Sequence, residues 1–151
     1  GEIRQQPFVM AIDVGEEHSR RREPDIQLVL DSNEHELLDT MMDGPADLVI
    51  EVVSPESRQR DYGEKLQEYE AAGVPEYWVI DPDKRQARFY WRNAEGAYVL
   101  QEHGGQYESL ALPSLKIEVA TLWQDPLPRP ATIARAVAEM LADANTSAQE
   151  C

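Results

Sequence analysis

The sequence predicts an α/β fold, a small mixed β-sheet with one central crossover helix and a C-terminal helix. Three observations predict it. Residues 47–54 (DLVIEVVS) form an almost unbroken apolar, β-branched run, the pattern of a central strand buried on both faces. A helical stretch from about Glu56 to Ala72 follows, with Gly73 as its stop. Residues 77–81 (YWVID) then return as a further apolar strand. Strand, helix, strand in that order reads as a right-handed crossover between parallel strands.

The other elements fall around this unit. Residues 1–24 read as irregular, with a short apolar stretch from Phe8 to Val14 and three consecutive arginines, Arg20, Arg21 and Arg22. Pro24 opens the first clear strand, 26–31 (IQLVLD). Residues 32–46 are polar and rich in turn formers around a short helix (EHELLDTMM) that ends at Gly44-Pro45. Asp81-Pro82-Asp83 is a turn signal. Residues 87–91 and 98–101 flank Asn93-Ala94-Glu95-Gly96 as a hairpin. A short strand is expected at 115–119. Pro126, Pro128 and Pro130 make a stiff break before a last amphipathic helix with Ile133, Val137 and Leu141 on one stripe. The 151 residues are expected to form one domain, 1–151, with a frayed tail from 144.

Composition narrows the function classes. Apolar residues make up 42% and charged residues 28%, an ordinary globular balance. The single cysteine, Cys151, excludes an internal disulfide and a cysteine-based zinc site. No apolar run approaches the ~20 residues that span a bilayer, and the first residues carry no secretory pattern, so a cytoplasmic protein with no membrane partner is expected. The net charge of −15, most of it in residues 1–75, repels phosphate backbones. It leaves room for an enzyme with a local basic patch and a carboxylate-rich metal site. No glycine-rich phosphate loop and no nucleophile elbow occur. His18, His35 and His103 show no metal-ligand spacing.

The chemistry concentrates in the central unit. Side chains at i and i+2 of a strand share a face, so Asp47, Val49, Glu51 and Val53 point one way. Glu51 is an acid inside a run that asks for burial, and an ionised carboxylate there needs a cation or hydrogen-bond donors. Asp47 lies about 13 Å back along the strand, too far to share one small ion with it; it remains a supporting candidate. Asp25, at the head of the 26–31 strand, is the better partner, and two carboxylates with several waters are a common way to hold Mg²⁺. Asp61, Lys65 and Tyr69, spaced i, i+4, i+8, supply a cation and two polar groups from one helix face. Carboxylates that bind a metal, together with a lysine, are the minimum for metal-assisted phosphodiester hydrolysis. The plainer reading makes Glu51 a structural acid paired with Lys65. Arg20–Arg22, with Arg58 and Arg60, are weak candidates for phosphate contacts.

These residues carry a resemblance. Pro24-Asp25, then GPADLVIEVVSPESRQRDYGEKLQEYEAAGVPEYWVIDP, resembles the putative restriction endonuclease family, a bacterial family best known from cyanobacteria and part of the PD-(D/E)XK nuclease superfamily. The resemblance implies a restriction-endonuclease-like core and an endonuclease that takes Mg²⁺, with Mn²⁺ as a substitute. It places the PD aspartate on Asp25 and the second acid on Glu51. The superfamily's lysine position falls on Val53; in this family the lysine has moved to the next helix, here Lys65. Asp61 and Tyr69 would support Lys65. Relatives carry an acidic residue from an N-terminal helix, for which Glu16 and Glu17 are the candidates here. The implied partner is DNA, duplex by default, and the implied assembly a homodimer. The alternative is a non-catalytic, oligomeric interaction module that keeps the fold.

Overall fold

The computed structural model describes residues 1–15 and 19–149, with side chains up to Glu139. Contacts sort the chain into two units, Gly1–Gln101 and Glu102–Cys151.

The first unit holds ten strands: β1 (Glu2–Gln5), β2 (Val9–Asp13), β3 (Ser19–Arg22), β4 (Ile26–Val29), β5 (Glu36–Leu37), β6 (Met41–Asp43), β7 (Leu48–Val52), β8 (Glu76–Asp81), β9 (Gln86–Arg92) and β10 (Tyr98–Leu100). Helix α1 (Lys65–Ala72) lies between β7 and β8 and is led by a π-helical turn, Arg60–Glu64. Six strands form the main sheet in the order β1-β4-β7-β8-β9-β10. Only β7 and β8 run parallel in it, because the helical crossover returns the chain to the same end of the sheet. The hairpin β9–β10 follows as the turn residues predict. The second unit holds the antiparallel pair β11 (Gln106–Glu108) and β12 (Lys116–Glu118), a 3₁₀ turn (Val119–Trp123) and α2 (Pro130–Gln149). Of the expected stripe of α2, Ile133 and Val137 are exposed, and the Leu141 side chain lies outside the described residues.

Two local expectations fail for the same reason. Residues 1–24, expected to be irregular, supply β1, β2 and β3. The segment EHELLDTMM, expected as a short helix, forms β5 and β6. These strands are two to five residues long, too short for alternation to show, and they gain their stability by pairing: β1 with β4 at the edge of the main sheet, the others in a four-stranded sheet, β3-β2-β6-β5. Met42 stands beside Met10 in the parallel β2–β6 pair, and both are fully buried. The core of the first unit therefore includes Phe8, Met10, Ile12 and Met42 together with Val49, Val53, Tyr69, Tyr77 and Val79 of the crossover. On β7, Leu48, Val49 and Glu51 are buried, as a two-faced central strand requires, while Val52 at its end is exposed.

Helix α1 is fixed at both ends of its length. Arg22 of β3 donates from Nε to Glu68 (2.6 Å) and pairs with Glu64 (2.5 Å), and Arg20 lies 3.3 Å from Glu68. Gly73 closes the helix with φ 88°, a left-handed conformation. The Gly73 N–H reaches the Glu70 carbonyl and the Val74 N–H reaches that of Tyr69, at 3.2 and 3.0 Å. A Cβ on Gly73 would meet no atom within 4 Å. Gly73→Ala is thus a test of backbone conformation alone. It should lower stability by about 1–2 kcal/mol, read as an earlier urea midpoint with an unchanged slope.

Candidate functional site

Glu51 is 1% exposed on β7, on the face that meets α1. Its Oε1 takes two donors, the Lys65 ammonium at 2.9 Å and the Tyr69 hydroxyl at 2.8 Å. Lys65 also lies 2.9 Å from Asp61 Oδ1. One cation therefore bridges two buried carboxylates, one from the sheet and one from the helical turn before it. Lys65 and Tyr69 reach Glu51, and Asp61 reaches Lys65 from the preceding turn.

The π turn is part of how this works. The Lys65 N–H bonds to the carbonyl of Arg60, five residues back. One widened turn between Asp61 and Lys65 changes the direction of both side chains relative to a regular helix. Two further residues hold Asp61. The Ser57 hydroxyl donates to Asp61 Oδ2, and the Tyr77 hydroxyl donates to the Asp61 carbonyl at 2.9 Å. Ser57 is itself locked by reciprocal bonds with Ser54, N–H to Oγ in each direction, at 2.9 and 3.1 Å. Sequence reasoning gave these side chains no role. The signals were present: Ser54 and Ser57 are three apart after a strand end, a pattern for side chain to backbone bonding. Tyr77 shares the Glu51 face through its register opposite Val49 and read only as core.

Asp25 immediately precedes β4, whose Ile26 stands opposite Ile50 of β7. Its Oδ2 accepts the Val52 N–H at 2.7 Å, which ties it to the residue after Glu51. Asp47 is held elsewhere. At the entry to β7 its Oδ2 accepts from the Leu30 N–H (2.8 Å) and the Asn33 amide (2.9 Å), and so pins the loop after β4. Of the arginines, Arg20 and Arg22 are ion-paired to α1 as described, and Arg21 is exposed on β3. Arg58 grips the buried Asp81 at 3.2 Å and reaches Asp83 at 3.1 Å, while Arg60 is exposed. Glu16 and Glu17 lie outside the described residues.

The charges explain the protonation states. Burial pushes the Glu51 carboxyl up and the charge of Asp25 adds to this, while Lys65 and Tyr69 pull it back; the balance stays above the ordinary glutamate value. Burial works against the Lys65 ammonium, but Glu51 and Asp61 outweigh it and raise Lys65 above the ordinary lysine value. Burial and the nearby Glu51 hold Tyr69 far above the tyrosine range, so its hydroxyl stays a donor. Lys65 is therefore a fixed cation at neutral pH, suited to donate hydrogen bonds and unsuited to act as a base. The ammonium stands within ion-pairing distance of both carboxylates, 2.9 Å from each.

Could these residues hold a divalent cation? Glu51 keeps one oxygen, Oε2, outside its bonds to Lys65 and Tyr69, and Asp25 keeps Oδ1 outside its bond to Val52. Among the described residues no group of three or more His, Cys, Asp or Glu side chains is placed to hold a metal. Two hard oxygen donors whose charges oppose one another fit an ion that retains most of its water, as Mg²⁺ does, and do not fit an all-protein cage.

Two mutational outcomes follow. Lys65→Met strands Glu51 and Asp61 without their shared cation and should cost about 3–5 kcal/mol of unfolding free energy by urea denaturation. Asp81 provides the pH test. Burial would raise its carboxyl, but hydrogen bonds from Arg58 prevail and hold it below the ordinary value. Its contribution is present above the unfolded aspartate range and is lost as pH falls through the lower folded value. Arg58→Ala should therefore be less stable than wild type at neutral pH, with the gap closing below the ordinary aspartate range in urea melts at stepped pH.

Residues 4–122 match the Uma2 family, described as “Putative restriction endonuclease”. Among solved structures, the chain is similar to a crystal structure titled as a putative nuclease belonging to DUF820 from Anabaena variabilis. The TM-score is 0.57 at 18% identity, over 80% of this chain and 66% of that one. This likeness shows the same nuclease-like α/β fold. No curated protein matches the chain.

Proposed function

The chain belongs to the Uma2 restriction endonuclease family, and from that premise we propose that it is a metal-dependent endonuclease that hydrolyses DNA phosphodiester bonds. The observation that carries this reading is the half-buried Lys65 ammonium held between the buried acids Glu51 and Asp61, with the charge of Asp25 acting on Glu51. Asp25 and Glu51 would hold Mg²⁺, with Mn²⁺ as a substitute. A divalent cation bound there lowers the pKa of water and neutralises charge gathering on the phosphate. Lys65 offers an N–H to the nucleophile or a phosphate oxygen, and its fixed charge offsets the negative charge of the transition state. Tyr69 and Asp61 keep the ammonium in one position, so no reorganisation is needed during reaction. Cleavage of both strands of a duplex takes two such sites, which supports a homodimer; we place its action in the bacterial cytoplasm on the family's likeness alone. No described helix is long and apolar enough to cross a membrane.

The Glu51–Lys65 pair favours a second reading, because it satisfies Glu51 without a metal: a non-catalytic interaction module on the same fold. Plasmid nicking at low salt separates the two. Wild type should nick with Mg²⁺ or Mn²⁺ and not with EDTA, and Glu51→Gln should lower the rate about 100-fold or more. Mg²⁺ should also raise the melting temperature of wild type and not that of Glu51→Gln, since a ligand stabilises only the state that binds it. Absence of both effects in wild type favours the interaction module.

A further inference from the structure

A cavity of about 360 Å³ opens on the outer side of the π turn, lined by Arg58, Tyr62, Gly63, Lys84 and Arg88 among others. Tyr62 forms its aromatic wall. The Arg88 guanidinium lies 4.9 Å from the Tyr62 ring centre and the Lys84 ammonium 5.4 Å. Arg88 makes no ion pair among the described residues, and Lys84 stands 3.8 Å from its nearest carboxylate, Asp81. Gly63 leaves the floor open, because a Cβ there would meet nothing within 4 Å. In a chain of net charge −15, this corner gathers cations. Arg58, Lys84 and Arg88 line it, Arg85 follows Lys84 on the same turn, and Asp81 and Asp83 pair with Arg58.

The turn between β8 and β9 adds an independent observation. Seven described residues have positive φ, and six of them are glycines. The seventh is Arg85, at φ 48°. Its N–H bonds to the Pro82 carbonyl at 3.2 Å, and the Lys84 N–H bonds to Asp81 Oδ1 at 3.1 Å, so the conformation is set by the turn. A left-handed conformation favours glycine. Arg85 is exposed beside Lys84, so this turn presents two adjacent cations to solvent.

We propose that this corner is a subsite for the phosphodiester backbone of the nucleic acid, built by Arg58, Lys84, Arg85 and Arg88 around Tyr62. The ligand class rests on the nuclease reading; the site itself rests on the cavity and on Arg85. Arg58 precedes the π turn and Tyr62 lies on it, next in sequence to Asp61, so the subsite and the Lys65 site share one helical segment. Spaced cations suit successive phosphates, and a local patch overcomes the repulsion of an acidic surface.

The test is binding of a short fluorescein-labelled duplex in EDTA, by anisotropy across a salt series, so that no turnover is required. Arg85→Gly should keep the wild-type melting temperature or exceed it, bind more weakly, and reduce the slope of log affinity against log salt by about 1. Lys84→Gln with Arg88→Gln should reduce it by about 2 and weaken binding about tenfold or more at low salt. Arg4→Gln, on the far edge strand β1, should change little. Wild-type affinity in the Arg85 and Lys84/Arg88 variants overturns the subsite, as does equal loss in Arg4→Gln. No duplex binding by wild type, or equally tight binding of polyglutamate, overturns it too. A subsite that survives while wild type fails to nick plasmid refutes hydrolysis alone; nicking with unchanged binding in the variants refutes the subsite alone.

Discussion

The Lys65 ammonium sits between two carboxylates that are almost wholly removed from water, Glu51 on β7 and Asp61 on the π turn. Neither acid is tolerable there without a counter-charge; Asp61 finds it four residues on in its own helical segment, and Glu51 only when that segment packs on the sheet. The helix is thereby committed to one seat on the sheet. Arg22 enforces the same seat from the small sheet by holding Glu64 and Glu68. Hydrophobic burial brings α1 down onto β7 and β8, but burial is non-directional. The charge bridge and its hydrogen bonds choose the rotation and register.

The same atoms thus serve packing and chemistry. Tyr69 and Tyr77 are fully buried core residues whose rings meet edge to face, 5.1 Å between centres. Their hydroxyls finish the polar network, one on Glu51 and one on the Asp61 carbonyl. A site built from core residues is stiff, which suits a group that stabilises charge without reorganising. It also makes stability and chemistry inseparable at Glu51, Asp61 and Lys65.

Charge is divided in space. The acidic excess repels polyanions, while the π turn and the β8–β9 turn assemble basic side chains around Tyr62. Asp81 joins the two regions. It is fully buried at the end of β8 and accepts from Arg58 and from Tyr62 at 3.2 Å, so the basic corner is anchored to the sheet that carries Glu51.

By itself the sequence determined the strand-helix-strand unit and its candidate residues. A continuous β-branched run, a glycine stop and an apolar return strand are local patterns that survive without context, and an acid inside such a run stands out. The helical spacing of Asp61, Lys65 and Tyr69 was legible for the same reason. Only the tertiary structure decided the rest. The small sheet of β2, β3, β5 and β6 was hidden because strands this short have no readable period and exist only through pairing. The roles of Ser57 and Tyr77 were hidden because they act on Asp61 from another element, and the π turn because one extra residue per turn leaves no mark in composition. Local order can be read along the chain; partners that are distant in sequence are selected by burial and charge, and these act only once the chain has closed upon itself.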